Sequence, residues 1–205
     1  METDAERIIG LYRRHARTWV AAREDWPGKA PMEVGWLDRF RALLSSLRPA
    51  VLDLGCGCGE PIAHYLVERG CDLTGVDSAP EMITMCEARL PGQSWRVGDM
   101  RTLSLDRRFD GILAWDSFFH LSHEDQRRMF PVFRVHAAPR AALMFTSGPE
   151  HGVAMGTLRG EPLYHASLDG AEYRALLNGN GFVVVAQVNE DSTCGGRTVW
   201  LAQLR

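Results

Sequence analysis

The sequence predicts an α/β fold: a doubly wound, mostly parallel seven-stranded sheet that ends in an antiparallel hairpin, with helices ahead of it at the N-terminus. Three observations predict it. Between residues 50 and 146, short apolar runs alternate with amphipathic stretches of about ten residues, the pattern of βαβ units. Gly55, Gly57 and Gly59 stand directly between the first apolar run and the next helical stretch. The last two apolar runs, 182–188 and 198–204, are separated by about nine residues, too few for a crossover helix and enough for an antiparallel pairing.

Each element has a local reason. Residues 3–24 read as a helix because Ile8, Leu11, Tyr12, His15 and Trp19 recur at three- and four-residue spacing. Trp26-Pro27-Gly28-Lys29-Ala30-Pro31 breaks that pattern. A second helix over 33–47 carries Val34, Leu37, Phe40, Leu44 and Leu47 on one face, and Arg48-Pro49 ends it. Residues 50–54 form a buried strand, 60–69 a helix closed by Gly70, and 71–76 the second strand. Pro80 opens a helix that runs to 89. Residues 94–97 and 109–115 are the third and fourth strands. Ser122 caps a helix over 122–136, with Asp125 at its third position, which makes His123 structural, and 141–146 is the fifth strand. Residues 148–167 read as a glycine-rich insertion, too long for a simple βα connection. A helix over 169–178 leads into the terminal hairpin, whose segment 191–197 reads as a turn with Cys194 incidental. The chain thus divides into N-terminal helices over 1–48 and one sheet domain over 49–205.

Composition narrows the function. A chain of 205 residues buries roughly 70% of its unfolded surface and needs neither disulfide nor metal to hold its core. The net charge of −3 argues against a nucleic-acid partner, which calls for many Lys and Arg contacts to phosphate. No apolar stretch approaches the roughly 18 residues of a membrane span. The charged N-terminus lacks a signal-peptide core, and five scattered cysteines are odd in number, so a cytoplasmic, reduced protein is expected. Glycine, at 20 residues, exceeds the usual share of about 7%. Its clusters mark the two places where function is expected.

The first cluster is Asp53-Leu54-Gly55-Cys56-Gly57-Cys58-Gly59-Glu60. Glycines after the first strand of a doubly wound sheet let a ligand approach the backbone, and the helix beyond offers N–H groups to an anion. Asp77 follows at the tip of the second strand, about 20 residues on, where an acid accepts hydrogen bonds from ribose hydroxyls. Capping the helix at Pro80 is the alternative role, open to Ser78 as well. Asp99 and Met100, after the third strand, can bond and cover an adenine ring. The dinucleotide fingerprint G-x-G-x-x-G is not met, because Glu60 stands where its last glycine would be.

At these residues the sequence resembles the class I S-adenosylmethionine-dependent methyltransferases, a Rossmann-like family. Asp53–Gly59, Gly75-Val76-Asp77-Ser78, Gly98-Asp99-Met100 and Phe109–Ala114 match that family's motifs in order, and the terminal hairpin matches its strand reversal. The resemblance implies S-adenosyl-L-methionine as cofactor and S-adenosyl-L-homocysteine as product. It implies that Asp53 orients the loop and the methionine portion, that Gly55, Gly57 and Gly59 let the cofactor pass, and that Asp77 and Ser78 hold the ribose. Asp99 and Met100 would then hold adenine. Trp115 would lie beneath the methionine portion, where a sulfonium gains from cation–π attraction. The N-terminal helices would form a lid, with Tyr12 and Trp19 as cofactor contacts or plain core residues.

The methyl acceptor is expected above the C-terminal strand ends. Asp116, His120 and His165 are the candidates to bind or deprotonate it, with Ser117 and Tyr164 beside them and the insertion 148–167 as its shelter. His120 could equally pack as a helix-start residue. No metal-ligand spacing occurs. The acceptor is expected to be a small molecule, neither nucleic acid nor membrane lipid, and the protein a monomer or homodimer. Two readings stand beside this one: a NAD-linked oxidoreductase on a similar sheet, and a regulatory protein that keeps the cofactor site without catalysis.

Overall fold

The computed structural model describes residues 3–24 and 32–205. The break at Trp26–Ala30 and Pro31 lies outside the described residues. Helix α1 (Asp4–Glu24) and helix α2 (Val34–Ala42) precede the sheet. The second helix ends five residues before the expected point, and Leu47 is fully exposed rather than part of its apolar face. Trp36, Leu37 and Phe40 suffice to bury that face.

Strands β1 (Ala50–Leu54), β2 (Asp72–Asp77), β3 (Ser94–Val97), β4 (Phe109–Ala114) and β5 (Ala137–Ser147) pair in parallel. Helices α3 (Ile62–Glu68), α4 (Pro80–Arg89) and α5 (His123–His136) connect them. Ser122 caps α5 by accepting from the Asp125 N–H, as its sequence foretells. After β5 the chain forms a two-stranded hairpin, β6 (Gly152–Leu158) and β7 (Glu161–Ser167), outside the main sheet. The glycine-rich insertion is therefore ordered strand, not irregular loop. Thr157 and Leu158 face Pro162 and Glu161 across the turn, and Gly160 takes the left-handed φ of +83° that the turn needs. Helix α6 (Gly170–Gly179) leads to β8 (Phe182–Asp191) and β9 (Arg197–Leu204), which close the sheet antiparallel.

The strand order is β3-β2-β1-β4-β5-β9-β8. It reverses between β1 and β4, and the crevice above that point is where such sheets bind ligands. Alternate side chains of one strand feed opposite layers, as period-two geometry demands. On β5, Leu143 and Phe145 join the core under α5 and α6, while Ala142 and Met144 join the core under α2 and α3. Phe118 centres the first layer, 5.1 Å from the Phe145 ring, and Trp200 stacks on Phe145 at 5.9 Å. Buried Gln126 donates to the Leu121 and Ala166 carbonyls and accepts from the Tyr173 hydroxyl. That network fixes the end of β7 against the sheet, and so fixes the hairpin above the strand tips.

Candidate active site

Two cavities open over the C-terminal strand ends. The first is walled by Asp53, Gly55, Gly57, Asp77, Ser78, Asp99, Met100, Trp115 and the α1 residues Tyr12 and Trp19. The second is more open and is walled by Phe119, Glu150, His151, His165, Arg197 and neighbours on the hairpin. Tyr12, Trp19, Asp116 and His120 line both.

The glycine loop has the backbone its sequence requires. Gly55, Gly57 and Gly59 have φ of +74°, +55° and +79°. A Cβ on Gly55 would stand 2.3 Å from the Ser117 Cβ, so only glycine fits there. The Trp19 ring lies over Gly57. Gly59 shapes the loop without lining the cleft.

The loop's amides face inward. Gly55 and Cys56 N–H donate to the Val76 carbonyl, Gly57 N–H to the Asp77 carboxylate at 2.9 Å, and Gly59 N–H to the Cys56 carbonyl. Helix α3 has seven residues and starts after Pro61. Those four loop amides are thus bonded within the protein rather than turned to the cleft.

Asp53 is 3% exposed, and burial together with the nearby Asp77 pushes its carboxyl up to about 7. Asp77 itself is raised by burial, against the pull of its bonds from Ala79 and Gly57 N–H. It holds the loop and lines the cleft at once. Asp99 is gripped by Arg101 through three side-chain bonds of 2.6–3.0 Å. Burial opposes its charge, but the Arg101 bonds outweigh it and hold the carboxyl below its usual value. Trp115 is 4% exposed, and its Nε1 is buried with no acceptor.

The acceptor candidates separate into three roles. Asp116 is no free base: Arg197 grips both its oxygens at 2.6–3.0 Å. Its left-handed φ of +49° is held by its N–H bond to the Thr146 hydroxyl. His120 is fully engaged, because its Nδ1 meets the Tyr164 carbonyl at 2.8 Å and its Nε2 the Tyr12 hydroxyl at 2.9 Å. A carbonyl only accepts, so Nδ1 carries the proton and Nε2 accepts from Tyr12. Burial lowers His120 to about 4, which keeps it neutral. His165 stacks on His120 at 4.9 Å, makes no side-chain hydrogen bond among the described residues, and faces the second cavity. Burial lowers it too.

Two expected substrate contacts change role. Ser117 donates to the Leu54 carbonyl at 2.6 Å and ties the turn after β4 to β1. The Tyr164 side chain lines neither cavity, because alternation along β7 turns it away from His165, and its carbonyl serves His120 instead.

The sequence reading missed Arg197, Phe119, Glu150 and His151. A signal for Arg197 existed. β9 is antiparallel, so its first residue must lie at the edge where the parallel strands end; Ser147 pairs with Thr198 there. Helix α1 is fastened across both cavities, since Arg14 and His15 both bond Glu161 at 2.6 Å.

Comparison with known proteins fits this geometry. A family model described as a methyltransferase domain matches residues 51–140. The chain is 32% identical over 131 residues to a magnesium-protoporphyrin O-methyltransferase of Rhodobacter capsulatus, covering 58% of this chain and 56% of that protein. It is 34% identical over 65 residues to a dTDP-3-amino-3,4,6-trideoxy-alpha-D-glucopyranose N,N-dimethyltransferase of Streptomyces venezuelae, covering 32% of this chain and 27% of that one. The chain thus spans about half or less of these relatives. The methyltransferase fold is shared with an amino pentose methyltransferase of Micromonospora echinaspora solved with bound S-adenosylmethionine, at TM-score 0.73 and 21% identity over 92% of this chain and 97% of that one. It is shared also with a didemethyltoxoflavin N1-methyltransferase of Burkholderia thailandensis, at TM-score 0.72 and 19% identity over 100% of this chain and 91% of that one. No helix among the described residues is long and apolar enough to cross a membrane, and no cluster there is arranged for a metal ion.

Proposed function

We propose that the chain is an S-adenosylmethionine-dependent methyltransferase for a small-molecule acceptor. The observation that carries this reading is the junction of two cavities at Tyr12, Trp19, Asp116 and His120. Group transfer needs two ligands held face to face with water excluded, and alignment alone can lower a barrier by roughly 7–11 kcal/mol. The residues of the first cleft suit the cofactor: glycine at Gly55 and Gly57 leaves it room, Asp77 and Ser78 suit the ribose, and Met100 suits a ring face. When bound, S-adenosylmethionine supplies a methyl group already activated on a sulfonium and leaves as S-adenosylhomocysteine.

The protein's own work is alignment and proton handling. His120, kept neutral, pins Tyr12 of α1 to the hairpin and so holds the lid (1–48) over the domain (49–205). Arg197 fixes Asp116 at the junction. His165 is the proton acceptor: its nitrogens make no hydrogen bond among the described residues, and burial keeps it neutral near pH 7. The second cavity offers Glu150 and the matched Asp116–Arg197 pair. That lining suits an uncharged or amine-bearing acceptor, and the aminosugar and amino pentose enzymes among the relatives support this. The hairpin β6–β7 shelters the acceptor. We assign the protein to the cytoplasm, as monomer or homodimer, with no nucleic-acid substrate.

The test is transfer of labelled methyl from S-adenosylmethionine into fractionated metabolites by the purified protein. Label in a small molecule supports the reading. No label, or label in nucleic acid, contradicts it.

A further inference from the structure

Rings wall the second cavity from the junction inward. Tyr12 and Trp19 stand edge to face with centroids 6.1 Å apart, and Tyr12 lies 5.3 Å from His120. Phe119 lies 4.8 Å from His120 and 5.1 Å from His165. All five line the cavity. Tyr12, Trp19, Phe119 and His165 keep part of their surface exposed, so a ligand there can touch them. Burial keeps both imidazoles uncharged near pH 7, so they extend the ring wall without adding positive charge. Aromatic faces attract a cation, and several rings around one space hold an ammonium group well.

The charges of the cavity point the same way. Arg197 lines it, but its guanidinium bonds Asp116, the Cys194 carbonyl and Met32 Sδ. Asp116 and Arg197 therefore cancel each other. Glu150 lines the cavity too, is exposed, and makes no hydrogen bond or ion pair among the described residues. An anionic acceptor would meet an unpaired carboxylate and a spent guanidinium. A cationic one meets a counter-charge and a ring wall.

Methyl transfer itself moves a positive charge. The bond from the methyl carbon to sulfur breaks, its electron pair stays on sulfur, and the sulfonium becomes a neutral thioether. If a neutral amine supplies the lone pair for the new bond, the charge arrives on nitrogen, inside the second cavity. If a hydroxyl supplies it, a base must take the proton and the methylated product is neutral. Rings and an unpaired carboxylate help the first case, because they act where positive charge develops. We propose that the second cavity takes an amine, that the amine nitrogen is the atom methylated, and that Phe119 and Glu150 hold the ammonium that forms. His165 takes the proton from an amine that arrives protonated and passes it to water. This rests on the methyltransferase reading above, commits it to nitrogen, and makes Phe119 and Glu150 residues that determine specificity.

Two measurements test it. The first reads the acceptor atom. Purified protein is given S-adenosylmethionine with a ¹³C-labelled methyl group and fractionated metabolites, and the chemical shift of the transferred carbon tells N–CH3 from O–, S– and C–CH3. Methyl on an amine nitrogen supports the proposal. Methyl on oxygen, sulfur or carbon overturns it while the methyltransferase reading stands. The second measurement needs no turnover. ¹⁵N-labelled protein saturated with S-adenosylhomocysteine is titrated with choline, which carries a methylated ammonium, and with 3,3-dimethyl-1-butanol, which has the same shape without the charge. Choline should move the Trp19 indole N–H resonance at lower concentration than the alcohol does. Phe119→Leu should weaken choline roughly 2- to 30-fold, the range of a cation–π contact, and Glu150→Gln by up to about 5-fold, with the alcohol unchanged in both. An equal response to the two probes, a response to neither, or equal losses for both in the variants overturns the proposal. Wild-type protein that binds no S-adenosylhomocysteine and transfers no methyl defeats the methyltransferase reading, and the proposal falls with it.

Discussion

The two cavities are built by opposite means. The floor of the first, beneath α1, is made of successive segments: the loop after β1 and the tips of β2, β3 and β4. Its shape is set by backbone, with left-handed glycines and amides bonded inward. The second is assembled from distant parts of the chain by side-chain pairs. Tyr12 meets His120 across 108 positions, Arg14 meets Glu161 across 147, and Arg197 meets Asp116 across 81. A backbone-built site is rigid and intolerant of added atoms. A site built from side-chain pairs can change its specificity by substitution while the sheet beneath stays intact.

The sharpest test of that contrast uses glycines. Gly55→Ala forces a left-handed alanine into a Cβ separation of 2.3 Å from Ser117. It should destabilise the fold by roughly 2–5 kcal/mol in chemical denaturation and abolish S-adenosylhomocysteine binding. Gly152, in the hairpin, has open space around its Cβ position. Gly152→Ala should change stability by less than about 0.5 kcal/mol. Comparable losses in both variants would erase the distinction between the cavities.

Asp53 gives the next effect, and its sign depends on pH. Its carboxyl is raised from 3.8 to about 7 in the fold, chiefly by burial and then by Asp77. A raised carboxyl stabilises the fold while protonated, and that contribution is lost as pH rises through about 7. Above pH 7, Asp53→Asn should therefore be more stable than wild type, by up to about 4 kcal/mol. The gain should shrink toward pH 4, and cofactor affinity should fall throughout. Urea melts at pH 5 and pH 8 check this, and a variant less stable than wild type at pH 8 would refute it.

Arg197→Met should spare the first cavity and damage the second. With Asp116 released, acceptor turnover should drop on the order of 10²-fold, the scale of a misplaced reacting group. S-adenosylhomocysteine affinity should stay near that of wild type. Loss of cofactor binding instead would show that Arg197 serves the first cleft.

The same contrast governs what the sequence makes legible. The parallel strands, the α5 cap and the glycine loop are local features, carried by contiguous residues such as Val51–Gly59 and Ser122–Asp125. The cofactor candidates follow, because their chemistry sits at the ends of consecutive strands. The acceptor side depends on pairings the sequence does not carry. Nothing near Asp116 announces that Arg197 will hold it, and nothing near His120 announces Tyr12. The hairpin β6–β7 was hidden by its composition, since Gly152, Gly156 and Gly160 mimic a loop and Pro162 discourages a strand. The exposed edges of a two-stranded ribbon tolerate Gly152, Gly156 and Pro162, and Gly160 sits in its turn.

The central claim is that the cleft over β1, β2 and β3 holds S-adenosylmethionine. Isothermal titration of wild-type protein with S-adenosylhomocysteine, with NAD as the comparison ligand, tests it most directly. The account predicts one tight site for S-adenosylhomocysteine and none for NAD. Binding of NAD with no binding of S-adenosylhomocysteine would contradict it.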